Sequence, residues 1–427
     1  MLPAKNSPAA RAVAITLLAS VVGIATLAAP ANAQTFNVIH YFTGGADGAN
    51  PVAGMTIDRG GNLYGATSLG GNSSLYCAPT CGTVFKLSHL QGGWVLSPLY
   101  LFHGTDGGSP DSRPVFGPDG TLYGTAGLVY NLRPAPNRCS AITCLWTETV
   151  IYQSCCGLSS PGGLSFDQQG VIYGADEFGG YVNRCSGGLG CGVVYEVIRS
   201  GGGWTGAVIY RFTGGMDGAH PVGGVFADAA GDLYGTTGGL YGGDGLGSIF
   251  KLSPSNNGWV ESTLYDFQGG SDGQFAVAGL ITDPAGNFYG ATSNGGAGNG
   301  GVVYQLAPMQ EGWNLNVLSS LSGTGTWQGG VIRNLVMDSA GNLYGTTNRE
   351  GLYGAGSVFQ LTPSNGAWIY TSLHDFTGGS DGAYPEGNLV IDSNGNLFGT
   401  TSAGGSTGSN CANYVNYQCG VVFEITP

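Results

Sequence analysis

The sequence predicts an all-β fold: a seven-bladed β-propeller of four-stranded blades, closed by pairing the N-terminal strand with the last blade. Three observations predict it. One short phrase recurs seven times, as DRGGNLYG from Asp58, PDGTLYG from Pro118, DQQGVIYG from Asp167, DAAGDLYG from Asp228, DPAGNFYG from Asp283, DSAGNLYG from Asp338 and DSNGNLFG from Asp392. Its aromatic falls at Tyr64, Tyr123, Tyr173, Tyr234, Tyr289, Tyr344 and Phe398, at spacings of 59, 50, 61, 55, 55 and 54 residues, a period that marks a repeat architecture. Each unit holds four short β-rich runs and no helical periodicity. The two chain ends carry complementary fragments of one unit.

The unit from Gly223 to Phe267 shows the reading. Gly224 to Asp228 is a short apolar run ending at a turn, strand a. Leu233 to Thr237 (LYGTT) is strand b. A Gly-rich loop, Gly238 to Gly247, leads to Ser248–Leu252, strand c. A polar turn, Ser253 to Gly258, precedes Trp259 to Phe267, strand d. Runs of this length bounded by Gly, Pro, Asn or Asp read as strands, and four antiparallel strands per repeat describe a propeller blade. Phe36 to Phe42 matches strand d, whereas Gly420 to Ile425 at the other end matches strand c. Pairing them closes the ring and removes two sheet edges.

The first 33 residues stand apart from the repeats. Lys5 and Arg11 form a basic start, residues 12 to 29 are mostly Ala, Val, Leu and Ile, and Ala31-Asn32-Ala33 is a small-x-small site. This pattern is a secretory signal peptide cleaved near Ala33, followed by a single propeller domain over 34–427. No other apolar run approaches the roughly 18 residues that a spanning helix needs, so no membrane insertion is expected. Cleavage leaves 11 basic against 26 acidic residues, a formal charge of −15 in place of −13. So acidic a chain excludes nucleic acid and anionic lipid as partners. Gly is 81 of 427 residues and only 9% are charged, which suits a turn-rich β protein with buried strands.

Ten cysteines in an exported chain read as disulfides. Eight form close pairs: Cys77–Cys81, Cys139–Cys144, Cys185–Cys191 and Cys411–Cys419. The remaining two, Cys155 and Cys156, are adjacent, and a vicinal bond is the simplest completion of the count. Zinc competes for Cys77-x3-Cys81, but the spacings vary and no His lies nearby.

The words FTGGADG (Phe42 to Gly48), FTGGMDG (Phe212 to Gly218) and FTGGSDG (Phe376 to Gly382), with the GNLYG cores and the GSVFQLTP strand (Gly356 to Pro363), resemble the GloVer (gloeo/verruco) tandem-repeat family of exported bacterial proteins. The resemblance covers residues 36 to 427. It implies the fold and export; the family brings no assigned activity. Some members carry a C-terminal sorting anchor. This chain ends in its last strand, so attachment by that route is not expected.

In a propeller the d-to-a connections and the b-to-c loops share one face, and this face collects the candidates. The FTGGxDG loops place Asp47, Asp106, Asp217, Asp272 and Asp381 near the channel mouth. Five carboxylates there invite a hard cation such as calcium. However, one carboxylate per loop falls short of the six to eight oxygens calcium takes, and each Asp can instead order its own loop. The paired cysteines lie in b-to-c loops of blades 1, 2, 3 and 7, building up half of the face. Tyr76, Tyr181, Tyr241, Tyr353 and Tyr414 lie in or beside those loops and offer stacking surfaces. The Asp of each D-x-x-G turn, on the opposite face, reads as turn chemistry, and the strand-b aromatic as inter-blade packing. His40 and His374 occupy the strand-d slot of Tyr100, Tyr210 and Tyr265, and read as repeat substitutions. No nucleophile elbow, phosphate loop or zinc-protease motif is present.

These features predict a secreted or periplasmic, monomeric, non-enzymatic binding module for a polysaccharide or a cell-surface protein, without a cofactor. A second class is a polysaccharide hydrolase or lyase using the channel-mouth carboxylates; near-identical surroundings of the five Asp residues argue against the distinct acid and base that chemistry needs. A third is a structural envelope protein.

Overall fold

Seven four-stranded antiparallel sheets form a ring in the computed structural model, which describes residues 34–77, 79–135, 145–153, 163–181, 183–185, 188–239, 245–323, 333–405, 411 and 418–427. Gln34–Pro427 is one compact unit, with no α-helix among the described residues. The innermost strands are Met55–Ile57, Val115–Phe116, Leu164–Phe166, Val225–Ala227, Ile281–Thr282, Val336–Met337 and Val390–Ile391, and they surround the central channel. In the fourth blade, strands b, c and d are Leu233–Thr237, Ser248–Ser255 and Gly258–Asp266. Strand c therefore runs three residues beyond the sequence reading: Ser253, Pro254 and Ser255 pair with Val260, Trp259 and Gly258. Ladder bonds are made by backbone, so polar side chains at the exposed end of a hairpin do not end it.

The ring closes through the chain ends. Thr35–Tyr41 pairs antiparallel with Val421–Thr426, from Thr35↔Thr426 to Tyr41↔Val421, and completes the sheet that also holds Leu397–Thr401 and Val390–Ile391. Phe36 stacks on His374 at 3.6 Å, and fully buried Phe42 joins a core shared by Phe85 and Leu87 of the first blade and Phe398 and Val422 of the last.

The aromatic-Gly pair of the repeat is explained by packing. The strand-b Gly always lies opposite the strand-c aromatic: Gly65↔Phe85, Gly124↔Tyr130, Gly174↔Tyr195, Gly235↔Phe250, Gly290↔Tyr304, Gly345↔Phe359 and Gly399↔Phe423. These seven rings are fully buried, and each lies across its glycine; a Cβ on Gly235 would stand 2.5 Å from Phe250 Cζ. The preceding aromatic packs against the next blade, as in Tyr173–Trp259 (6.0 Å) and, across the closure seam, Phe398–Trp94 (5.5 Å). In the six repeats where it is Tyr, its hydroxyl also donates to the turn Asp. Asp58 Oδ1 accepts from the Gly60 and Asn62 amides, while Oδ2 accepts from Asn62 Nδ2 and the Tyr64 hydroxyl (3.0 Å). One carboxylate thus fixes both the turn and the ring.

Candidate functional site

The d-to-a and b-to-c loops meet on one face, bridged at Ala49↔Leu69, Gln274↔Asn294 and Ala383↔Ala403. There the five loop carboxylates turn inward on their own loops. Asp217 Oδ2 accepts from the Thr213 amide (2.9 Å) and the Tyr210 hydroxyl (3.0 Å), and its Oδ1 from Thr213 Oγ1 (2.6 Å). Asp47 receives the Thr43 amide, Thr43 Oγ1 and His40 Nε2; Asp381 receives the matching groups of Thr377 and His374. Asp106 binds Tyr100, the His103 amide and the His103 ring; Asp272 binds Tyr265 and the Gln268 amide. Tyr and His are interchangeable in the strand-d slot because each reaches the loop Asp with a donor. Burial pushes Asp47, Asp106 and Asp381 up, but these donors outweigh it and hold all three below the ordinary carboxylate value. The Gly after the Asp is required twice over. Gly48 has φ +96°, and a Cβ there would run into Thr67 Oγ1 at 2.1 Å.

Tyr76 and Tyr353 stand well out into solvent, at 75% and 59% exposure, and Tyr181 stacks under the Arg184 guanidinium at 4.8 Å. Tyr241 and Tyr414 lie outside the described residues. Cys77–Cys81, Cys185–Cys191 and Cys411–Cys419 are disulfides with Cα separations of 5.1 to 5.3 Å. Cys139, Cys144, Cys155 and Cys156 lie outside the described residues, but the segment carrying Cys139 and Cys144 joins strand c, Val129–Arg133, to strand d, Thr147–Tyr152, of the second blade. It is a c-to-d connection on the opposite face and not the b-to-c loop expected from the sequence, because strand c here follows strand b after only three residues. Among those described, no three His, Cys, Asp or Glu side chains stand together as a metal site.

Sequence reasoning missed the axial cluster. Seven equivalent residues enter the innermost strands, four before the turn: Gly54, Arg113, Gly163, Gly224, Gly279, Asn334 and Asn388. Three polar side chains thus replace glycine at one level of the channel. Asp111 stands two residues before Arg113, where blades 1, 4 and 5 carry Val52, Val222 and Val277. Burial pushes its carboxyl up to about 6; Arg333 pulls the other way and Glu177 adds to the rise. Glu177 is itself raised by burial, opposed by His220 and Arg333. The His220 Nδ1–H donates to the Glu177 carbonyl (3.1 Å), and Arg333 Nε is buried without a hydrogen-bond partner. Asp111, Glu177, His220 and Arg333 come from blades 2, 3, 4 and 6, so a single electrostatic neighbourhood linking them lies at the mouth of the channel. The signal for it was available: each charged residue departs from the repeat at its own position.

A closed seven-bladed propeller with disulfide-stapled loops and a charged channel mouth defines the class of this protein: an all-β tandem-repeat propeller. The family profile described as Gloeobacter/Verrucomicrobia repeat matches residues 126–326 and 244–427, and the chain belongs to that family. No curated protein matches it in sequence. Similar solved structures include a gluconolactonase from Xanthomonas campestris, 14% identical over 73% of this chain and 84% of that one, TM-score 0.40. A carbohydrate-active enzyme of family AA12 from Trichoderma reesei is 13% identical over 93% and 96%, TM-score 0.43. A protein of unknown function from Dyadobacter fermentans is 12% identical over 91% and 96%, TM-score 0.44. Likeness at this level carries no argument about activity.

Proposed function

We propose that this protein is an exported, non-enzymatic binding module whose ligand, a polysaccharide or a cell-surface partner, sits on the channel mouth. The observation that supports this most is the convergence of Asp111, Glu177, His220 and Arg333. Four repeats bring charged or titratable groups to one place, and the fold does not require them: other blades carry Val52 or Val222 where Asp111 stands, Gly238 for Glu177, Gly223 for Arg333 and Asn50 or Ser109 for His220. Tyr76, Tyr181 and Tyr353 supply stacking surfaces at the rim, which suits a sugar chain. The loop aspartates Asp47, Asp106, Asp217, Asp272 and Asp381 hold the platform in shape. The test is retention of the purified protein on a panel of immobilised polysaccharides. Selective retention supports the reading, and passage through every column moves the ligand class to proteins.

One arrangement favours a hydrolase or lyase as the second reading: burial pushes the Asp111 carboxyl up to about 6, beside Glu177, which burial also raises. Incubation with each retained polysaccharide separates the two. Release of new reducing ends or unsaturated products, abolished by Asp111→Asn, establishes catalysis; intact polymer supports binding alone.

A further inference from the structure

We propose that Arg113, Asn334 and Asn388 form an anion-recognition site inside the channel that takes the carboxylate of an acidic sugar. The inference deepens the polysaccharide reading above and names the group recognised.

The channel encloses a cavity of about 430 Å³ against the innermost strands, and all three side chains line it. That volume lies within the range of small-molecule sites and admits one sugar residue. Arg113 makes no hydrogen bond or ion pair with any described residue, and burial pulls its guanidinium below the ordinary value with no carboxylate contributing. Apart from Asp244, every acidic residue of the chain lies among the described residues, so the sequence provides scarcely any other counter-charge. A guanidinium held in a cavity without a partner among the described residues is left to water alone, and an anion from outside would compensate its burial. Neither Asn334 nor Asn388 uses its side-chain amide in a hydrogen bond within the described residues. Asn334 Oδ1 is accommodated by the glycine next to it in the ring, since a Cβ on Gly279 would stand 2.5 Å away.

The donor set points to a carboxylate. The planar guanidinium fork matches a planar carboxylate in bidentate fashion. The two amides both donate and accept, as flanking sugar hydroxyls require. A dianion is disfavoured by Asp111 and Glu177 at the mouth and by a chain whose formal charge is −13.

Calorimetric titration of the purified protein with D-glucuronate, D-glucose, sulfate and phosphate tests this. Glucuronate should bind, and Arg113→Gly should weaken it by about tenfold or more, the worth of a charge-assisted hydrogen bond. Glycine is the residue that four of the seven blades carry there, so the fold should persist, which an unchanged melting temperature checks; Arg113→Gln is the second variant. Unchanged glucuronate affinity in both variants would overturn the proposal, as would tighter binding of sulfate or phosphate than of glucuronate, or no glucuronate binding by the unmodified protein. Retention on neutral polysaccharides independent of Arg113 would leave the binding-module reading standing while this inference falls. Glucuronate binding that depends on Arg113, with no polysaccharide retained, would leave the site and remove that reading.

Discussion

Removing residues 34–43 should open the ring. The segment supplies the outer strand of the last blade, Thr35–Tyr41, and the buried Phe42. Phe42 fills the seam between the last blade and the first, touching the core of Met55, Phe85, Phe398 and Val422. Emptying such a site costs about 3–5 kcal/mol, and half-buried Phe36, stacked on His374 and near Phe423, roughly half of that. The two together approach roughly 5–7 kcal/mol, comparable with the whole 5–15 kcal/mol stability of a typical protein. The last strand, Val421–Thr426, also loses its partner and presents an open edge. The assay compares Gln34–Pro427 with Gly44–Pro427 by thermal unfolding and size-exclusion chromatography, with and without a synthetic peptide of residues 34–43. The shortened chain should aggregate or melt far lower, and the peptide should restore it in part. A soluble monomer with unchanged melting would refute closure by the chain ends.

Gly235→Ala should destabilise by about 1–3 kcal/mol, because the new Cβ meets Phe250 in a packed core. Tyr304→Phe should instead be neutral or stabilising by about 1 kcal/mol in chemical denaturation, because the Tyr304 hydroxyl is buried without a partner and four other blades carry Phe in that place. Acid should unfold the protein as its depressed carboxyls (Asp47, Asp58, Asp106, Asp119, Asp283, Asp338 and Asp381) protonate. Their contribution is complete above about pH 4 and lost below it, so melting should fall steeply between pH 4 and lower values. Glu350 has the opposite sign: burial holds it protonated up to about 8, against an unfolded value near 4.5, so the native state keeps the extra proton between them and stability falls as pH rises. Glu350→Gln should therefore raise the melting temperature more at pH 8 than at pH 5. Alkylation of the non-reduced protein followed by intact mass should add no label; label on Cys155 or Cys156 would contradict five disulfides.

The blades were legible because each is specified locally. Strand b ends its turn with an aromatic and a glycine, and both have fixed steric jobs that recur seven times, so the pattern survives divergence elsewhere. Closure was legible because Phe36–Phe42 and Gly420–Ile425 are fragments of one unit that only a ring reunites. The hairpin end at Ser253–Ser255 was not, since backbone pairing there is indifferent to side-chain polarity. The axial cluster was not legible either, for another reason. Asp111, Glu177 and Arg333 are far apart in the chain and share no motif; only the ring brings them together. Reading the repeats position by position shows them as departures from Val, Ser or Gly, but not that they face one another. The regularity of the loop aspartates, which marked them as candidates, goes with the loop hydrogen bonds they make.

The most direct test of the account is retention of three proteins on the same polysaccharide panel: unmodified, Asp111→Asn with Arg333→Ala, and Asp217→Ala with Asp272→Ala. The axial variant should lose retention at an unchanged melting temperature, while the loop variant should lose melting temperature first. Full retention by the well-folded axial variant would contradict binding at the channel mouth.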